Sequence, residues 1–172
     1  MKFIKHMYIG LILLFFSAPL VAQEEDILGH IESPGNYTTF ELAHMDKNLT
    51  TFMNLLSLSG LETSLLFAEE HTLIIPTNES FKEMTIAEFK ELTDPKNKTK
   101  LIAFIKDHNI PSKVMKYELT SNHIISKYAN DKIRIKREND EVYIGGAKII
   151  VPDIEASNGV IQIVDNTVYA IN

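Results

Sequence analysis

Thr72-Leu73-Ile74-Ile75-Pro76-Thr77-Asn78-Glu79-Ser80-Phe81 is the stretch on which the fold turns, together with Ser157-Asn158-Gly159-Val160-Ile161-Gln162-Ile163-Val164-Asp165 about eighty residues on. The first begins as a short apolar run ended by Pro76, which suits a buried strand because proline has no N–H for the ladder. Thr77 or Asn78 can then cap a single helical turn carrying Phe81 and Met84, and Asn78 can bond backbone groups of the turn. In the second stretch Asn158-Gly159 supplies two residues that tolerate φ > 0 in a tight connection. Phe81 and the Val160, Ile161, Ile163 run are expected in the core. Pro76, Thr77, Asn78, Phe81, Asn158 and Gly159 thus read as structural residues.

Upstream of Thr72 and for about forty residues beyond it the pattern is helical. Asp46 caps a helix with Leu49, Phe52, Leu55 and Leu56 on one face, stopped by Gly60. Thr85-Ile86-Ala87-Glu88 is a capping box opening a helix with Ile86, Phe89 and Leu92 inward. Asp94-Pro95 opens another, packed through Leu101, Ile102, Phe104 and Ile105. After Pro111 the period changes to two: Ile133 and Ile135 alternate with Lys132, Arg134 and Lys136, and Glu138-Asn139-Asp140 turns the chain back through Val142-Tyr143-Ile144. Further strands are expected over 147–151, 160–164 and 167–171. Helices followed by strands predict an α+β fold, N-terminal helices packed on a largely antiparallel sheet.

With the two stretches, their order and spacing, and the helices-then-strands arrangement, the region from Tyr37 to Asn172 resembles the fasciclin-like domains. The resemblance implies a secreted adhesion or binding module. In animal matrix members an Asp-Ile pair before the second signature is implicated in integrin attachment; Asp153-Ile154 holds that place here, after Val151-Pro152 where the family often has an acidic residue before the proline. A Tyr-His pair in mid-domain is also implicated in adhesion. Here it is Asp107-His108, so only the histidine matches. Asp153, Ile154 and His108 are therefore candidate contact residues, each with a plainer reading as a turn carboxylate or a packed side chain.

The N-terminus reads differently from the rest. Lys2 and Lys5 precede an apolar run from Ile9 to Phe16, and small residues lead to Ala22 just before Gln23-Glu24-Glu25-Asp26. This is the build of a secretory signal peptide cut after Ala22, followed by an acidic tether over 23–36 and one domain over 37–172. No membrane span is expected after cleavage. The chain has 172 residues with no Cys and no Trp, which excludes disulfide scaffolds, thiolate metal sites and cysteine nucleophiles. Export without cysteine fits a bacterial periplasm, medium or cell surface more easily than a eukaryotic matrix. Four N-x-S/T sequons (Asn36, Asn48, Asn78, Asn97) read as chance in an Asn- and Thr-rich chain.

The formal charge is −6. It argues against nucleic acid, which needs a concentrated basic footprint. No nucleotide loop, G-x-S-x-G or H-E-x-x-H occurs, and the histidines fall at no metal-ligand spacing. No catalytic residue, cofactor or metal is expected. Lys132, Arg134 and Lys136, with Arg137 beside them, give a basic strand face in an acidic chain. The plain reading is a solvated face that discourages edge pairing; the functional one is contact of Arg134 and Lys136 with an acidic polysaccharide. The leading expectation is a non-catalytic, exported module whose partner is a surface protein or polysaccharide. A carrier of a small apolar ligand is the alternative, and an envelope-polymer hydrolase a more distant one.

Overall fold

Two capping boxes start helices where the sequence marks them. Thr38 and Glu41 open α1 (Thr39–Met45), and Thr85 and Glu88 open α4 (Ile86–Thr93), each hydroxyl accepting from the N3 amide. The computed structural model describes Leu28 and residues 31–120, 122–125 and 132–168, with backbone alone for 122–125 and Lys132. The expected signal peptide lies outside these residues. Asp46 caps a 3-10 turn (Lys47–Leu49) that runs into α2 (Thr50–Ser59), and Gly60 ends α2 in the left-handed region at φ 77°. The short α3 (Glu62–Leu66) leads to β1 (His71–Pro76). Asp94 caps the turn Pro95–Asn97 before α5 (Lys98–Asp107).

The strands that follow are β2 (Asn109–Ile110), β3 (Asn122–Ile125), β4 (Lys132–Glu138), β5 (Glu141–Ile144), β6 (Ala147–Ala156) and β7 (Gly159–Val164). Among the described residues they form a seven-stranded sheet in the order β2-β1-β7-β6-β5-β4-β3. The α+β expectation holds, and one pair departs from the antiparallel rule. β1 runs parallel to β7, His71 opposite Gly159 and Pro76 opposite Val164.

β1 is apolar on both sides because both sides are covered. Leu73 and Ile75 join Ile161 and Ile163 against Leu42, Phe52, Leu56, Phe81 and Ile105 of the helical layer. Ile74 points the other way, into a second core with Ile110, Leu119, Ile133, Ile135, Val142, Ile144 and Ile149. Three local expectations are corrected. Ile86 is 77% exposed, because the whole first turn of α4 stands clear of the body. Leu28 and Ile31, expected in a tether, pack into the helical core. The closing strand over 167–171 is not formed at Thr167 and Val168; the rest of it lies outside the described residues.

Candidate functional site

Both signature turns are joints between the sheet and the helices. Thr77 N–H donates to the Val164 carbonyl at the end of β7 (3.2 Å), and the hydroxyls of Thr77 and Ser80 lie 3.0 Å apart. Asn78 reaches sideways: its Oδ1 accepts from Thr51 N at 2.8 Å, and its Nδ2 donates to the Lys47 carbonyl at 2.8 Å. It thereby satisfies a free amide at the start of α2 that no residue of that helix caps. Phe81 is buried against Phe89 and Phe104, ring centroids 6.4 and 6.3 Å away.

The second turn repeats the device. Asn158 Oδ1 accepts from Thr39 N at the start of α1 (2.9 Å), and its Nδ2 donates to the Leu65 carbonyl of α3 (3.2 Å). Neither Asn158 nor Gly159 has positive φ, so the expectation of left-handed turn residues is corrected. Gly159 is required for another reason. A Cβ there would lie 2.1 Å from the His71 carbonyl oxygen across the parallel pair. The His71 ring completes the joint. Its Nδ1 lies 3.0 Å from the Glu69 carbonyl, which can only accept, so Nδ1 carries the proton and Nε2 accepts from the Thr39 hydroxyl (2.8 Å). Burial pushes the His71 pKa down.

His108, a candidate contact residue by resemblance, is enclosed. It has no exposed surface and lies between Phe52 and Phe104, with centroids 5.4 and 4.4 Å away. Its Nδ1 donates to the Phe104 carbonyl (2.8 Å), and Nε2 accepts from Val168 N (3.1 Å). Burial lowers its pKa to about 4, so the ring is neutral at pH 7. The expectation of a surface contact at His108 gives way to a packing role.

Asp153 is half-buried at φ 58°, a left-handed conformation that aspartate tolerates, in a β6 irregular between Ile149 and Ile154. Its Oδ1 accepts from Lys116 N and from Gln162 Nε2, both at 2.7 Å, while its own N–H donates to Gln162 Oε1 (3.1 Å). Gln162, fully buried in β7, also donates to the Val114 carbonyl (3.2 Å). The Thr72 hydroxyl donates to the Ser112 carbonyl (2.7 Å) and accepts from Val114 N (2.8 Å). Residues 112–116 are thus strapped across the sheet, and Asp153 is one buckle. Ile154 is half-buried against the helical core. Gln162 was the readable signal for this network: a lone polar residue inside an apolar strand.

The basic strand places Arg134 and Lys136 outward, Ile133 and Ile135 inward. Lys136 pairs with Glu138 (2.6 Å) and sits 5.9 Å from the Tyr143 ring centroid. Arg137 leaves this group: its guanidinium is 3.3–3.4 Å from the carbonyls of Lys116, Tyr117 and Leu119. The three candidate regions thus differ in kind: a core histidine, a strapped carboxylate and an exposed basic strand. Among the described residues, no group of three or more His, Cys, Asp or Glu side chains is placed to hold a metal ion. No described helix is long and apolar enough to cross a membrane.

Comparison with known proteins bears on both joints. The chain is 27% identical over 131 residues to protein sll1483 of Synechocystis, covering 76% of this chain and 72% of that one. It is 32% identical over 155 residues to human periostin, covering 83% of this chain but 17% of periostin. A Plasmodium falciparum protein named heme ligase is 26% identical over 165 residues, covering 78% and 77% of the two chains. A solved FAS1 domain pair from the insect cell adhesion molecule fasciclin I shares the fold, with a TM-score of 0.59 at 16% identity, over 77% of this chain and 51% of that one. The fasciclin domain model matches residues 47–170, a span that contains β1 with the Pro76-Thr77-Asn78 turn and β7 with the Asn158-Gly159 turn. With both signature turns inside a match that spans most of its length, the chain belongs to the fasciclin domain family.

Proposed function

We propose that this protein is an exported adhesion or binding module that works by contact at the cell surface, without turnover. The observation that carries the reading is the fasciclin match over residues 47–170, in a family that includes a domain pair from an insect cell adhesion molecule. The two described buried histidines support it. His71 and His108 each have both ring nitrogens committed to fixed partners, which leaves neither to act as a base or ligand. The leader over 1–22 supports export. The partner is a surface protein or a polysaccharide, met through exposed groups rather than through the core.

Binding of the purified chain to an array of glycans and matrix proteins tests this reading. Specific capture by one class of partner is expected, with hemin titration and a chromogenic hydrolase panel both negative. Capture of nothing, or turnover of a panel substrate, would overturn it. N-terminal sequencing from the native host should give a chain starting at or near Gln23.

A further inference from the structure

The outward face of the β4-β5-β6 sheet carries groups that no role so far explains. Register sets Lys136 opposite Tyr143 and Tyr143 opposite Lys148, and residues so paired share a face. A lysine–tyrosine–lysine row thus crosses three strands. Arg134 adds a cation one step along β4, and Ile150 adds a 45% exposed apolar side chain along β6. Two acids stand at the hairpin end. Glu138 pairs with Lys136, and Glu141 pairs with Lys148 and accepts from the Tyr143 hydroxyl (2.8 Å). Lys136 Nζ stands over the Tyr143 ring, 5.9 Å from its centroid, and Lys148 is held toward the hairpin end by Glu141.

We propose that this face is a docking platform for an anionic polysaccharide. As Lys136 swings off the Tyr143 ring to a carboxylate or sulfate of the polymer, the ring receives the apolar face of a sugar, and Arg134 and Lys148 meet neighbouring anionic groups. Glu138 and Glu141 accept from sugar hydroxyls. Hydroxyl donors recur on every sugar of a polysaccharide, whereas the phosphate-deoxyribose backbone of DNA carries none within the chain. The net charge of −6 turns a polyanion away from most of the surface and leaves this cationic face as its entry. The inference rests on the contact-module reading and adds the partner's chemistry.

Biosensor binding of the purified chain to immobilised polygalacturonate tests it, with dextran and single-stranded DNA alongside. Saturable binding to polygalacturonate is expected, none to dextran, and at least tenfold weaker binding to DNA. Affinity should fall severalfold as ionic strength rises from about 0.01 to 0.15 M, where the screening length shrinks from about 30 to 8 Å. Arg134→Ala with Lys136→Ala should weaken binding at least tenfold. Tyr143→Thr, which keeps a strand-favouring residue, should weaken it at least threefold. Melting temperatures within a few degrees of the parent would show that these variants fold. No binding to polygalacturonate, unchanged binding by the folded variants, or equal binding to DNA would each overturn the proposal. If the array still captures a partner equally with parent and variants, the contact-module reading stands and this face is not its site.

Discussion

A free N–H at the start of a helix is ordinarily met by a side chain within a few residues. Thr51 and Thr39 instead turn to asparagines 27 and 119 positions away. Asn78 and Asn158 therefore join helix to sheet as well as shaping their turns. Asn158→Ala leaves the part-buried Thr39 amide without its partner and takes one donor from the Leu65 carbonyl, and should cost about 1–3 kcal/mol in urea melts. Gly159→Ala should cost more than Asn158→Ala, because backbone must move to relieve a 2.1 Å approach. A reversed order would refute the joint. His108 gives a prediction in pH. Its folded pKa of about 4 lies below the unfolded value of about 6.5, so the unfolded chain takes up the proton first. Stability is full above pH 6.5 and declines by about 3 kcal/mol as pH falls toward 4, with His71 shifted in the same sense. Melts at pH 7 and pH 4.5 should show the loss, and His108→Phe should remove most of the slope between them.

Elements with local instructions were legible in the sequence; those fixed by distant partners were not. The Thr85–Glu88 box, the Asp94 cap and the Gly60 stop each depend on neighbours a few residues away, and each formed as expected. Ile86 had the right spacing but sits on a turn that clears the core, which periodicity alone does not register. The two signature stretches are legible as structural, but nothing in the sequence names the helix starts that their asparagines cap. The segment over 112–115, ahead of a 3-10 turn at Lys116–Glu118, is neither helix nor strand. Its order comes from Thr72, Gln162 and Asp153, each far off in sequence. Asp153→Ala removes one buckle and leaves alanine at φ 58°, so faster amide exchange at Lys116 is expected with a stability loss of about 2 kcal/mol or more. Asp153→Asn keeps the acceptor and the tolerance, and should restore most of the protection. Equal exchange in all three proteins would rule out the strap.

At the scale of the whole molecule, β7 is the shared wall of two cores. Ile161 and Ile163 face the helices, and Val164 faces the second cluster. A chain ending at Ala156 lacks that wall and also exposes the β1 and β6 edges. It should show neither a cooperative melt nor dispersed amide resonances, while the full chain shows both. The parallel pairing was hidden in the sequence because nothing near His71 names Gly159 as its neighbour. That pairing also sets a clock. Residues 71 and 159 meet only after the intervening chain has been made and its long loop closed, so the last step of assembly is slow and distant contacts dominate it. Refolding followed by far-UV circular dichroism should fall in the millisecond-to-second range. On the ribosome, a growing chain stays without its native core until the strand at 159–164 has emerged, and through that interval it remains a pliable thread, open to chaperones and to passage through a narrow channel.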